Sequence, residues 1–302
     1  MKIATTIGEM RGYAQSPADT LKLYEGSGFR HFDYNFYEVL QPGDPFMLDG
    51  WRDIIWEAQD TAKALGFDFV QAHAPCCKIC GGDTEREIAA TIRAIEACGM
   101  LGVKTMVIHS GFLSGFAYPT DMPAYCAANA PFFRALIPAM EKHDVRILFE
   151  NTTEKHCRGG RFFPIYARDL NEMVAYMDHP LFGAAWDVGH ANMDDIDHAA
   201  EMRALGGNLQ AIHVHDNYGD KDLHLLPFMG STDYDNIMQG LLDAHFPGYF
   251  TLEIKNNFYF ERRPGLTGPL AHPPLAVKKA ALKLQYAVAQ SILEAYGVYE
   301  GE

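Results

Sequence analysis

The stretch FGAAWDVGH, residues 182–190, sets a short apolar run directly before an aspartate, with a histidine three residues later. An apolar run of this length predicts a strand that is covered on both faces, as in a parallel sheet flanked by helices. A second stretch, VRILFEN at residues 145–151, has the same form and brings Glu150 to the end of its apolar run. Together they indicate a parallel sheet whose strands end at acidic side chains, which could bind a ligand or take part in catalysis.

Eight such runs occur along the chain, roughly every 35 residues and each followed by a helical pattern, which is the rhythm of a (β/α)8 TIM barrel. An open doubly wound sheet is the competing architecture, but no Gly-rich phosphate loop follows the first run. No linker or charge block divides the chain, so we predict a single domain over residues 1–302. The other six runs begin at residues 2, 29, 67, 103, 209 and 249, and helices are predicted at residues 51–65, 85–98, 125–143 and 275–295.

The composition limits the classes of function. Hydrophobic residues make up 48% of the chain and charged residues 21%, which is ordinary for a globular protein with a buried core. The net charge of -14 argues against nucleic acid as a partner. The chain lacks any apolar run of about 18 residues, which argues against a membrane span. Six scattered cysteines without an export signal predict a cytoplasmic location.

Side chains that can bind metal ions lie at the carboxyl ends of six predicted strands. In a parallel barrel the carboxyl ends of the strands share one rim, so these side chains are expected to converge. Burying three acids and three imidazoles there without counter-charge is costly, and a divalent cation supplies that charge. Carboxylate and imidazole ligands without thiolate suit Mn²⁺, Zn²⁺, Co²⁺ or Mg²⁺ equally. The residues concerned are His73, His109, Glu150, Asp187, His213 and Glu253.

Further candidates lie close to the same strand ends. His215 shares a strand face with His213 because side chains alternate along a strand. Arg158 could grip a phosphate or carboxylate group by bidentate contacts, and Trp186 could stack on a sugar or exclude water. His198 is expected on the surface, away from the rim. The remaining candidates near the rim are His190, Asp216, Asp222 and His224.

The stretch IHVHDNYGDKDLHLLPFMGSTDYDNIM, residues 212–238, resembles the seventh-strand segment of the xylose-isomerase-like barrels. These include sugar-phosphate isomerases, ketose 3-epimerases and endonuclease IV, and the resemblance extends from the first strand to YFTLEI at residues 249–254. In the epimerases one metal is held by residues from strands five to eight. The resemblance therefore implies the metal ligands Glu150, Asp187, His213 and Glu253, with His190 contacting substrate.

By this resemblance the chain is expected to be a divalent-metal-dependent isomerase or epimerase of a sugar, sugar phosphate or polyol, with cyclitol dehydration included. A proton would be moved beside a carbonyl through an enediolate that the metal stabilises. Glu150 and Glu253 are the expected acid–base pair. His190, His215 and Asp216 are expected at the substrate, together with Arg158 and Trp186. By analogy with similar barrels, a homo-oligomer is also expected.

An abasic-site endonuclease is the alternative function. Endonuclease IV binds three zinc ions and adds ligands that match His73, His109, Asp222 and His224, so the ligand pattern does not separate the two branches. The loops at residues 34–50 and 110–121 carry no basic residue, however, and residues 194–197 include three aspartates that would repel a phosphodiester backbone. The epimerase arginine after the seventh-strand histidine is also absent, which leaves the exact sugar reaction open.

Overall fold

The computed structural model describes residues 1–79, 81–113, 115, 120–156, 164–255, 268 and 273–301. Within these residues eight strands form one parallel sheet in the order β7-β6-β5-β4-β3-β2-β1-β8. The strands are β1 (Ile3–Thr6), β2 (His31–Asn35), β3 (Asp68–His73), β4 (Thr105–Ile108), β5 (Arg146–Glu150), β6 (Phe182–Asp187), β7 (Leu209–His213) and β8 (Phe250–Leu252).

The first and last members of this sheet meet and close it. Val214, directly after β7, forms a parallel bridge with Leu252 of β8. The Val214 amide donates to the Thr251 carbonyl at 2.8 Å, and the Glu253 amide donates to the Val214 carbonyl at 3.0 Å. The prediction of a TIM barrel is therefore confirmed.

Helices cover the outside of the barrel, and their positions follow the sequence pattern closely. The predicted helices at residues 51–65 and 275–295 have the predicted bounds, while the one predicted from residue 125 begins three residues earlier. The helices are α1 (Pro17–Leu23), α2 (Trp51–Leu65), α3 (Thr84–Leu101), α4 (Met122–His143), α5 (Ala167–Met177), α6 (Val188–Met193), α7 (His198–Leu205), α8 (Tyr234–Asp243) and α9 (Leu275–Ala295). None of those described is both long and apolar enough to span a bilayer.

The buried apolar side chains fall into two clusters because successive strand residues point to opposite faces. The larger cluster lies between the strands and the helices and includes Phe149 and Phe182, whose rings stack at 5.4 Å. The smaller cluster lies inside the barrel, where each member precedes a rim residue by two positions. It comprises Val107, Leu148, Ala185 and Ala211.

Trp186 and His198 form a polar contact within the outer layer. The Trp186 indole nitrogen donates to His198 Nδ1 at 3.2 Å, and both side chains are buried. Burial lowers the pKa of His198 to about 4, despite nearby aspartates that oppose this shift. The expectation that His198 is a surface residue was wrong, because α7 begins at this residue and packs its first turn against β6.

This contact predicts a pH dependence of stability. The folded state keeps His198 neutral, so between pH about 4 and 6.5 the unfolded chain binds a proton that the folded chain does not. Stability should therefore fall as the pH falls through this window, by up to about 3 kcal/mol from this group. His198→Gln keeps an acceptor for Trp186 but cannot titrate. Urea unfolding at several pH values should therefore show that the free energy of unfolding changes less with pH in this variant than in the parent. The exposed control His245→Gln should keep the parental slope, and equal slopes in all three proteins would contradict the assignment.

Candidate active site

The carboxyl ends of the strands open into a cavity of about 690 Å³. A cavity of this size is typical of small-molecule sites. Its lining includes the side chains of His73, His109, His190, Asp222 and Glu253. The structure therefore brings together, at one rim, residues that are separated by up to 180 positions in the chain.

A central group of four ligand-type residues lies in this rim: Glu150, Asp187, His213 and Glu253. One ligand atom from each lies within 4.8 Å of the others, and all four side chains are buried. His213 Nδ1 is 2.5 Å from Glu150 Oε1 and 3.5 Å from Glu253 Oε2. The 2.5 Å contact is a hydrogen bond, and the four ligand atoms together form a group that could hold one cation.

The charges in the central group are strongly coupled. Burial by itself favours the neutral acid, but the imidazoles of His213 and His109 outweigh it and hold the pKa of Glu150 well below its usual range. Burial likewise opposes charge on His213, yet Glu150 and Glu253 raise the pKa of that imidazole to about 10. Without a metal, His213 carries the positive charge that these carboxylates require.

A second group surrounds the other oxygen of Glu150. Glu150 Oε2 lies 2.6 Å from His109 Nε2 and 3.5 Å from His73 Nε2. The 2.6 Å contact with His109 is a close ion pair in the metal-free protein. His73, His109 and Glu150 also form a group that could hold a metal ion.

A third group is centred on Asp222, in the loop after β7. Asp222 Oδ2 lies 3.0 Å from His224 Nε2 and 3.7 Å from His190 Nε2. Burial raises the pKa of Asp222, but His224 and His190 more than offset this and hold it well below its usual range. His224 also joins His215 and Glu253 in a possible metal group.

Backbone carbonyls orient three of the outer imidazoles. His73 Nδ1 donates to the Ala74 carbonyl at 2.9 Å, His190 Nδ1 to the Asn151 carbonyl at 2.9 Å, and His224 Nδ1 to the Glu253 carbonyl at 2.8 Å. Each bond leaves Nε2 aimed at a carboxylate. Metal-binding histidines are commonly held in this way, with the second ring nitrogen donating to a carbonyl. The donor set therefore fits one or more divalent cations.

Local structure after β6 fixes Asp187. Asp187 caps α6 by accepting the His190 amide at 2.7 Å, and its own amide donates to Asn151 Oδ1 at 2.6 Å. His215 Nε2 lies 3.1 Å from the carboxylate. The His215 ring packs so closely on Gly189 that a Cβ there would lie 1.9 Å from its Cε1 atom. Glycine at position 189 is thus needed for His215 to support Asp187.

Some predicted substrate contacts are placed elsewhere. His215 and Asp216 are fully buried and do not line the cavity. Asp216 instead accepts the backbone amides of Gly230 and Thr232 and so shapes the loop after β7. Trp186 faces the helices because Asp187, its neighbour in the strand, faces the rim. The structure thus places these three side chains away from the cavity lining, while Arg158 lies outside the described residues.

Sequence reasoning missed several cavity residues, above all Lys255. Its ammonium donates to Glu253 Oε1 at 2.7 Å and lies 5.9 Å from the ring centre of Tyr37. Lys78 and Lys155 also line the cavity, and Lys155 donates to the carbonyls of Met193 and Gly219. The position of Lys255, two residues beyond a strand-end glutamate, was the available signal, because side chains two apart share a face in extended backbone.

A comparison of the sequence with family profiles gives a match to the xylose isomerase-like TIM barrel family over residues 22–282. The chain belongs to this family. An uncharacterized protein of Methanocaldococcus jannaschii is 24% identical over 165 residues, which cover 54% of this chain. The alignment covers 55% of that relative, so the chain spans about half the length of the curated relative it matches.

Solved structures share the whole barrel. A D-tagatose 3-epimerase-like protein superposes with a TM-score of 0.72 at 18% identity, covering 98% of this chain and 100% of the other. An AP endonuclease of family 2 from Brucella melitensis superposes with a TM-score of 0.67 at 15% identity, covering 85% and 94%. At these identities the likeness establishes the fold that all three proteins share.

The central group predicts a metal-dependent gain in stability. Zinc or manganese added at about 100 times its dissociation constant should stabilise the fold by roughly 2.7 kcal/mol, because it binds the folded state only. Glu150→Ala removes a ligand oxygen from two of the groups and should abolish this gain in thermal unfolding. Glu25→Gln, an exposed change beyond the end of α1, should retain it. An unchanged metal response in Glu150→Ala would show that the central group is not the site.

Proposed function

We propose that this barrel is a divalent-metal-dependent isomerase or epimerase whose substrate is a small sugar, sugar phosphate or polyol. The observation that carries the proposal is a cavity of small-molecule size in which one buried carboxylate, Glu253, faces the ligand space beside a candidate metal centre. A cavity of about 690 Å³ suits a molecule of sugar size rather than a duplex. The superposition with an epimerase-like protein is consistent with this choice.

The metal would be held by Glu150, Asp187, His213 and Glu253. A divalent ion there would supply Lewis-acid stabilisation of the negative charge that develops on substrate oxygens during proton transfer beside a carbonyl. The outer imidazoles, His190 above all, line the cavity and are positioned to bind substrate hydroxyl groups.

Glu253 is the carboxylate that we assign to proton transfer at carbon. Its side chain lines the cavity, whereas Glu150 is 1% exposed and lies beneath the rings of His73 and His109. Of the two carboxylates expected from the sequence to transfer protons, we therefore assign this role to Glu253. Glu150 organises the imidazoles and the metal, and Glu253 meets the substrate.

Lys255 is the natural partner of Glu253 in this step. Its ammonium holds Oε1 at 2.7 Å, which leaves Oε2 on the side of His213. Burial raises the pKa of Glu253, but Lys255 and His213 outweigh it and hold it well below its usual range. The carboxylate is thus ionised before the reaction and can accept a proton, while the ammonium keeps its hydrogen bond to Oε1 and orients the carboxylate.

The outer histidines favour one second candidate, a metal-dependent abasic-site endonuclease. His73 and His109 at Glu150, and His190 and His224 at Asp222, would allow further ions beside the central one. The likeness to the family 2 AP endonuclease covers most of the chain. We rank this function second because the cavity has the volume of a small-molecule site and the chain carries a net charge of -14.

Proton transfer at carbon predicts isotope exchange. Metal-loaded protein incubated in D₂O with a panel of ketoses, aldoses and inosose-type cyclitols should place deuterium beside the carbonyl of its substrate. Glu253→Gln should lower the exchange rate about 10²- to 10⁴-fold, because the amide cannot accept the proton. Nuclear magnetic resonance of the recovered sugars measures the exchange, and Glu25→Gln serves as the matched control.

The same preparation should be given a duplex with one abasic site. Strand cleavage that weakens steeply with salt, together with no exchange into any sugar, would replace the first function with the second. If Glu253→Gln exchanges deuterium into the sugar at the parental rate, Glu253 is not the residue that transfers the proton.

A further inference from the structure

Two polar side chains lie inside the barrel beneath the candidate metal centre. Asp33 of β2 is 2% exposed and Gln71 of β3 is 4% exposed, and the two residues are paired in the sheet register. On β4 to β7, the interior positions that precede the rim residue by two, as Gln71 precedes His73, are all apolar. They are Val107, Leu148, Ala185 and Ala211.

Gln71 reaches across the barrel to the ligand histidine. Its Nε2 atom lies 2.8 Å from His213 Nε2 and donates to Asp33 Oδ2 at 3.0 Å. The strands β3 and β7 lie four places apart in an eight-stranded barrel, so Gln71 touches the imidazole from the opposite wall. His213 Nδ1 lies 2.5 Å from Glu150 Oε1, and Nε2 on the other side of the ring faces the Gln71 amide.

The Asp33 carboxylate has no other hydrogen bond among the described residues. Oδ2 accepts from Gln71, Oδ1 has no partner there, and the distance from Oδ2 to His213 Nε2 is 4.0 Å. A buried carboxylate with so few partners is a costly way to fill a core in which apolar side chains occupy the equivalent positions. Packing alone therefore does not account for the pair.

We propose that Asp33 and Gln71 are positioning residues that fix the His213 ring with Nδ1 facing the metal ligands. This inference rests on the metal centre of the proposed function. When Nδ1 binds a metal, Nε2 carries the ring proton and needs an acceptor. Turning the Gln71 amide over would bring its oxygen to that place, in exchange for the nitrogen that donates to Asp33 Oδ2, so the Asp33 side chain helps to determine which end of the amide faces His213.

The test compares zinc affinity, measured by competition with a chromophoric chelator, in the full-length protein and its variants. Gln71→Met keeps a similar volume but cannot hydrogen-bond, and we expect its zinc affinity to fall about 10- to 100-fold, as for other residues that support metal ligands. The exchanged pair Asp33→Asn with Gln71→Glu keeps a hydrogen-bonded pair and an acceptor for Nε2, so it should recover most of the loss. Gln239→Met, on the exposed face of α8, is the matched control and should bind zinc like the parent.

Each outcome decides the proposal. Parental affinity in Gln71→Met would reduce the pair to space filling, and equal losses in Gln71→Met and the exchanged pair would exclude a hydrogen-bonding role. If thermal unfolding without metal shows that Gln71→Met does not fold, the exchanged pair decides alone, since the carboxylate introduced by Gln71→Glu is an acceptor for Nε2: near-parental zinc affinity supports the role, and a loss of about 10-fold or more excludes it. A parent that binds no zinc or other divalent ion would overturn the metal centre as well, which distinguishes that failure from failure of the positioning role.

Discussion

The burial of ionised side chains at one end of the barrel is the constraint on which the rest of this structure depends. Glu150, Asp187 and Glu253 are each at most 6% exposed, and each would lose several kcal/mol of hydration without compensation. Imidazoles supply that compensation in the metal-free protein, as the raised pKa of His213 shows. A divalent cation meets the same requirement with one concentrated charge and frees the imidazoles to act as neutral ligands.

The barrel is built to hold this charge at a fixed place. Apolar side chains fill the interior below the rim residues of β4 to β7. On the other side, the pair Asp33–Gln71 reaches His213, while the Asp187 cap and the close packing of Gly189 against His215 fix the rim from β6. Gln71 and His215 each contact a ligand side chain, and the open side of the site is the cavity that contains Glu253 and Lys255.

Much of the fold could be predicted because a strand that is covered on both faces has a recognisable sequence pattern, a short apolar run. The convergence of Glu150, Asp187, His213 and Glu253 followed from one rule, that parallel strands end at a common rim. Trp186 was misplaced because the alternation applied to His213 and His215 was not applied to it. Asp33 and Gln71 could not be singled out, since a polar residue inside a strand gives no hint of the side chain it meets across the barrel. Lys255 was missed although its position two residues after Glu253 places both side chains on one face of extended backbone.

The most direct test of this account is anomalous diffraction from crystals of the protein grown with zinc or manganese. The account predicts a peak bounded by Glu150, Asp187, His213 and Glu253, with His213 bound through Nδ1. Additional peaks beside His73 and His109, or beside His190 and His224, would mark a multinuclear centre and strengthen the endonuclease candidate. Full occupancy elsewhere in the molecule, with no peak inside the central group, would contradict the account.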